Sequence, residues 1–264
     1  MVEGMTTQTL TIGTATVPYR VFGSGPGLVF VHGTGRGSVT WDALIDRFTD
    51  RHTVILPDLS GSDLAVDDGS PLTLELLTGQ LAAVIEDTGL GAVDVVGHSL
   101  GAVVAVALAA TRPELVRRLV PLAGWTGKGD EYVRQTMEQF LALAELPEAF
   151  ARYAMLTAYS HRYLNVIGSE AVDELARGFV PTPGRLRQFE LNTRTDVEGL
   201  LPLVTAPTLV IGCTEDVLVP VANSRRLHAG IAGSEYAELR SGHVARVEAA
   251  GELVELVEGF LVRP

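Results

Sequence analysis

Cysteine is nearly absent: Cys213 is alone in a chain of 264 residues. That excludes an internal disulfide framework and a cysteine-built metal site, and it fits a reducing compartment, where Cys213 serves as a small core residue. Lysine is as scarce, with Lys128 the single instance, and the formal net charge is −12. Nucleic-acid phosphates and anionic membrane surfaces are held by clustered Lys and Arg, so neither is an expected partner. Long apolar runs are missing too. The longest, Ala102 to Ala110, is well short of the roughly 18 residues that suggest a membrane span. The opening MVEGMTTQTL carries no basic segment followed by an apolar one, and the expectation is a cytoplasmic protein. Neither Gly23-Ser24-Gly25-Pro26-Gly27 nor the glycines of 32–37 fit G-x-G-x-x-G, and 124–129 fails the phosphate-loop spacing. Neither a cofactor nor a metal is expected, and the partner is a small organic molecule.

What is present is an ordinary globular composition, 47% apolar and 20% charged, with a clear alternation. Short β-branched runs are expected as strands at Gln8–Ile12, Ala15–Phe22, Gly27–Val31, Thr53–Leu56, Ala92–Val96, Val116–Leu122, Thr208–Ile211 and Glu235–Leu239. The first two pair as an antiparallel hairpin. Between the strands, apolar residues recur at helical spacing, as in Trp41, Leu44, Ile45 and Phe48, or Leu253, Leu256, Val257 and Phe260. Strand, helix, strand in succession is the signature of a mostly parallel sheet covered by helices, an α/β fold of eight strands. Strand signals vanish between about Trp125 and Leu201, where helical patterns follow one another. This predicts a core of residues 1–124 and 202–264 carrying an inserted helical cap, 125–201. The cap holds more than half of the chain's Trp, Tyr and Phe. Trp125, Tyr132, Phe140, Tyr153 and Tyr159 are therefore candidate substrate contacts, since ligand pockets are largely apolar.

One stretch concentrates chemistry. Gly97-His98-Ser99-Leu100-Gly101 joins an expected strand to an expected helix with no polar spacer, and it matches the nucleophile elbow G-x-S-x-G. The turn is too tight for side chains at its two ends, which is why glycine stands there and why the serine backbone is strained. The following helix start directs free N–H groups toward the same sheet edge, making Leu100 N–H an oxyanion donor. A second donor is Thr34 N–H, in the glycine-rich His32-Gly33-Thr34-Gly35 after the third strand, with His32 and Gly33 as neighbouring substrate contacts.

A serine hydroxyl needs a base, and an imidazole oriented by a carboxylate serves near neutral pH. His243, in Ser241-Gly242-His243 after the last strand, is the candidate base; His228 is assigned to solvent and His98 to packing, turned away from the serine. Asp216, after the strand 208–211, is the candidate acid, with Glu215 its local competitor and Asp94 unattractive on the strand before the elbow.

These motifs, in the order Ser99, Asp216, His243, resemble the α/β-hydrolase superfamily, in particular its small capped serine hydrolases. The resemblance implies that Ser99 is the nucleophile, His243 the general base and then acid, Asp216 the orienting carboxylate, and Thr34 and Leu100 the oxyanion donors. One loop departs from it: Pro57-Asp58-Leu59-Ser60-Gly61-Ser62-Asp63 stands where members often carry Asp-x-x-Gly-x-Gly-x-Ser. The implied activity is cleavage of a carboxylic ester, lactone or thioester through an acyl-serine. The alternatives are acyl transfer or cyclisation on the same intermediate, carbon–carbon bond hydrolysis, and a ligand-binding protein without turnover. In carbon–carbon hydrolases of this kind cap arginines hold a substrate carboxylate. Arg185 and Arg187 are the candidates, with solvated surface arginines the plainer reading.

Overall fold

The computed structural model describes residues 6–127 and 129–263. Residues 1–5, which begin the opening segment read above, and Lys128 lie outside the described residues. Eight strands, β1 (Thr6–Ile12), β2 (Ala15–Gly23), β3 (Gly27–Val31), β4 (Thr53–Pro57), β5 (Val93–His98), β6 (Val116–Leu122), β7 (Leu209–Cys213) and β8 (Glu235–Leu239), form one sheet in the order β1-β2-β4-β3-β5-β6-β7-β8. β2 is antiparallel to β1 and β4, and every pair from β4 onward is parallel.

Period-two alternation sends neighbouring residues to opposite faces. On β3, Val29 and Val31 enter one buried cluster and Leu28 and Phe30 the other; β4 divides likewise, Ile55 against Val54 and Leu56. The first face is covered by α1 (Leu74–Asp87), α2 (Leu100–Thr111) and α7 (Ala222–Gly230), the second by α9 (Ala250–Leu261) and by residues 38–48. α2 is apolar all round because it is buried all round: every residue from Leu100 to Ala109 is shielded. Four further helices, α3 (Glu131–Ala142), α4 (Pro147–Ala158), α5 (His161–Arg177, kinked at Gly168) and α6 (Pro183–Arg194), lie between β6 and β7. Short α8 (Ala245–Glu248) follows β8. Among the described residues no helix is long and apolar enough to cross a membrane.

The Trp41–Phe48 stripe is a correction to the sequence reading. It forms two 3-10 turns, Ser38–Trp41 and Ile45–Arg47, rather than an α-helix. Bonds such as Leu44 N–H to Trp41 O and Arg47 N–H to Leu44 O satisfy the backbone three residues apart. The apolar side chains still reach the sheet, where Phe30 packs on Trp41 and Phe48 with ring centroids 4.9 and 5.1 Å away.

From β3 the chain crosses one face to β4, then the other face to β5 on β3's far side. The loops leaving β3 and β5 therefore diverge, opening a crevice at their carboxyl ends. The elbow closes its floor by backbone contact. A side-chain carbon on Gly101 would overlap the Val31 and His32 carbonyl oxygens, and one on Gly97 the Gly101 carbonyl. Gly101→Ala is expected to cost about 3 kcal/mol or more of stability, read as a lower urea midpoint. Gly79→Ala, exposed on α1 with open space around it, is expected to gain about 0.5–1 kcal/mol; equal midpoints for the two variants would remove this steric account.

Candidate active site

Ser99 stands between β5 and α2 at φ 55° and ψ −121°, and Ala123 is the only other non-glycine with positive φ among the described residues. Such a backbone costs of order 1–3 kcal/mol and persists where its surroundings over-determine it. Here they do so: Ser99 N–H donates to Leu122 O at 2.9 Å, and Gly33 approaches so closely that a side-chain carbon on it would lie 3.0 Å from Ser99 Cβ. The first N–H of α2, on Leu100, has no carbonyl before it in the helix to bond.

His243 follows β8 and Asp216 follows β7, so adjacent parallel strands deliver both to the same sheet edge. Asp216 Oδ2 is 2.7 Å from His243 Nδ1, while its Oδ1 accepts the Leu218 and Val219 N–H groups at 2.8 and 2.9 Å. That arrangement puts a proton on Nδ1 and leaves Nε2 as the basic nitrogen. Nε2 is buried and has no hydrogen-bond partner among the described residues, and His243 and Ser99 line the same cavity.

Two more buried histidines have their tautomers set by their partners. His98 Nε2 donates to His243 O at 2.8 Å, its ring centroid 4.8 Å from that of His243, and its Nδ1 lies 3.4 Å from Arg246 Nη1, which can only donate. Burial, with the His243 ring and the Arg246 charge, holds the His98 pKa well below the ordinary histidine value. His32 Nε2 accepts Leu59 N–H at 3.0 Å, and its Nδ1, 2.8 Å from Gly33 O, carries the proton. Burial lowers its pKa as well.

The cavity has two unlike walls. Met137, Phe140, Phe179 and Phe189 come from the helical segment, whereas Thr40, His98 and Arg246 come from the sheet domain. Phe140 and Phe189 stack with centroids 4.3 Å apart. The free volume is about 60 Å³, on the order of two water molecules. Two amides on α6 reach the loop after β3: Gln188 Oε1 accepts Gly35 N–H at 2.9 Å, and Asn192 Nδ2 donates to Thr34 Oγ1 at 2.9 Å. Asn192 also lines the cavity, and its Oδ1 is buried without a partner among the described residues.

The profile of the alpha/beta hydrolase family matches residues 28–256. The chain belongs to that family. It is 36% identical over 256 residues to the pyrrolizixenacetamide deacetylase of Xenorhabdus hominickii, covering 95% of this chain and 96% of that one. Among solved structures, MGS-M2, an alpha/beta hydrolase enzyme from a deep-sea metagenome library of the Medee basin, superposes with a TM-score of 0.91 at 20% identity, covering 97% of this chain and 98% of that one. The enol-lactonase of Burkholderia xenovorans LB400 gives 0.86 at 21% identity, covering 97% and 100%. At such identity these two establish the fold.

Within this hydrolase fold the expected site residues divide. Ser99, Asp216 and His243 meet at one sheet edge, and Thr34, Gly33 and Phe140 line the cavity. Five expected contacts do not line it. Trp125 is sealed in the core; Tyr132 is exposed, its hydroxyl donating to Val217 O at 2.7 Å; Tyr153 packs behind Phe140, centroids 4.8 Å apart. Tyr159 stacks on Tyr163, centroids 5.5 Å apart, and His32 spends both ring nitrogens on backbone. Glu215 turns outward to Arg240, with Nε 2.7 Å from its Oε1, and Asp94 is held on β5 by Arg117. His98, expected beside the serine but turned away from it in a packing role, lines the cavity with Ser99, and His228 is half-sheltered by Tyr236 rather than free in solvent. Arg185 is buried rather than solvated, 3.6 Å from Asp63, and Arg187 binds Asp67 at 2.7 Å; neither lines the cavity. Cys213 is buried, and burial pushes its thiol up to about 12, which leaves it inert at neutral pH.

Phe179 and Phe189 belong to the aromatic-rich cap from which a lining was expected, without being singled out, and both line the cavity; sequence reasoning missed Asn192 and Arg246. The one signal available for Asn192 was its spacing of four from Gln188, which stacks two amides on one helix face.

The buried neutral histidines carry a pH prediction. A histidine whose folded pKa is depressed binds its proton more readily when unfolded, so its contribution is intact above the unfolded value and lost as pH falls below it. Stability is expected to decline from pH 7 to 5. His98→Asn, which removes one such group, is expected to flatten that slope in urea titrations; an unchanged slope would contradict the assignment.

Proposed function

We propose that this chain hydrolyses a carboxylic acyl bond of a small organic substrate, an ester, lactone or thioester, through an acyl-Ser99 intermediate. One observation carries the reading: His243 meets Asp216 through one ring nitrogen, while the other, buried and unpartnered among the described residues, belongs to a ring that lines the same cavity as Ser99. In acylation, His243 Nε2 takes the Ser99 hydroxyl proton as Oγ bonds the carbonyl carbon. The developing oxyanion is held by Thr34 and Leu100 N–H, each such donor worth roughly 3–4 kcal/mol. The leaving group departs with the proton from His243, and water then repeats the sequence to release the acid and restore Ser99. Asp216 holds the tautomer and stabilises the imidazolium. The segment 125–201 acts as a cap, its Met137, Phe140, Phe179 and Phe189 lining the cavity beside Ser99.

A second reading, amide hydrolysis, is favoured by Asn192. Its unpartnered Oδ1 in the cavity is suited to accept a hydrogen bond from a substrate N–H, and a relative 36% identical is named a deacetylase.

Ser99→Ala is expected to abolish hydrolysis of p-nitrophenyl acetate and labelling by a fluorophosphonate; retained activity discards the reading. Asp216→Asn is expected to lower kcat by roughly 10⁴, with Glu215→Gln near the parent. The reverse order would make Glu215 the acid.

A further inference from the structure

Arg246 is unlike the other sheltered arginines. Arg20, Arg117, Arg185 and Arg187 each face a carboxylate within 4.0 Å: Asp42, Asp94, Asp63 and Asp67 respectively. Arg246, partly buried on α8, has no carboxylate at ion-pair distance among the described residues. Its Nε donates to Thr40 O at 2.8 Å and its Nη1 lies 3.4 Å from His98 Nδ1. Those two contacts use two of five guanidinium N–H groups, and neither partner carries negative charge. The nearby Tyr159 phenol supplies no counter-charge, because burial raises its pKa and keeps it protonated. Burial lowers the guanidinium to about 10, so it remains a cation at neutral pH. It lines the cavity with Ser99 and His243.

A sheltered cation without a counter-ion is costly unless a ligand supplies one. We propose that the substrate of this site carries a compact anionic group, a carboxylate, which pairs with Arg246 while the scissile carbonyl meets Ser99. The claim deepens the acyl-serine reading and rests on it. The opposite wall is apolar, with Phe140, Phe179 and Phe189, so Arg246 is the group there that discriminates charge. The carboxylate belongs to the acyl part or to the leaving group, and the assay separates these.

The test compares kcat/KM for charged and neutral near-isosteres within each protein, so that any general loss of folding or of His98 positioning cancels. Monomethyl succinate against methyl 4-methylpentanoate puts the carboxylate on the acyl side; 3-acetoxybenzoate against 3-methylphenyl acetate puts it on the leaving group. The parent is expected to favour the charged member of one pair at least tenfold. Arg246→Gln is expected to reduce that preference at least tenfold, with partial recovery in Arg246→Lys. A preference that Arg246→Gln leaves unchanged, or no preference in either pair, overturns the proposal and makes Arg246 a tie to Thr40 alone.

A binding arm separates this claim from the hydrolase reading. Ser99→Ala is titrated calorimetrically with succinate, then Ser99→Ala combined with Arg246→Gln. Binding by the first and its loss in the second supports the anion site even if no ester is turned over. Turnover dependent on Ser99 without charge preference or succinate binding sinks the anion site and leaves the hydrolase reading standing.

Discussion

The structure depends on a backbone contact without side chains: the start of α2 pressed against the end of β3. Gly101 lies so close to the Val31 and His32 carbonyls that no side-chain carbon fits, and Gly97 lies equally close to Gly101. This proximity forces Ser99 into its positive φ. It also lets a helix of only Ala, Val, Leu and Gly through residue 110 follow the turn directly, because α2 is enclosed by the sheet, α1 and the turn at 198–203. Local strain at one residue is offset by burial of an entire helix.

Around that contact the polar groups form an ordered set of imidazole rings. His32 is held by the backbone of Leu59 and Gly33, His98 by the carbonyl of His243, and His243 by Asp216. Each ring has one nitrogen donating, and burial keeps His32 and His98 from charging. A second charge beside His243 would oppose formation of an imidazolium there, so a neutral His98 next to it is electrostatically consistent with His243 acting as a base. Glu248 extends the order outward: its carboxylate accepts from Ser160 N–H at 2.8 Å and Gly242 N–H at 3.1 Å, tying the start of α5 to the loop that carries His243.

The helical segment meets the sheet domain through similarly close contacts. Gly61 and Gly184 approach backbone to backbone, and Gln188 Nε2 donates to Ser60 O at 3.2 Å. The loop that departs from the family pattern, 57–63, is therefore the seat of α6. Asp58 within it is fully buried, accepting from Ser38 N–H and Ser38 Oγ at 2.8 Å each. The helix seated on it carries the two amides that reach Thr34 and Gly35.

The strands, the elbow, and the residues Ser99, Asp216 and His243 were legible in the sequence because each signal is local. Period-two patterning, glycines around a tight turn, and chemistry-bearing residues just past a strand all act over a few positions, and parallel strands bring their ends to one edge. The lining of the cavity was not legible. Of the five cap aromatics singled out for it Phe140 alone lines it; Phe179 and Phe189, part of the same aromatic group but not singled out, line it as well, and Asn192 and Arg246 went unnoticed. Helix rotation and the seating of α6 on residues 57–63 decide which side chain faces Ser99, and a sequence pattern records that a face is buried without saying against what. So the sequence by itself determined the fold and the candidate nucleophile, base and acid, whereas tertiary packing alone decided which charges found partners and left Arg246 without a carboxylate among the described residues.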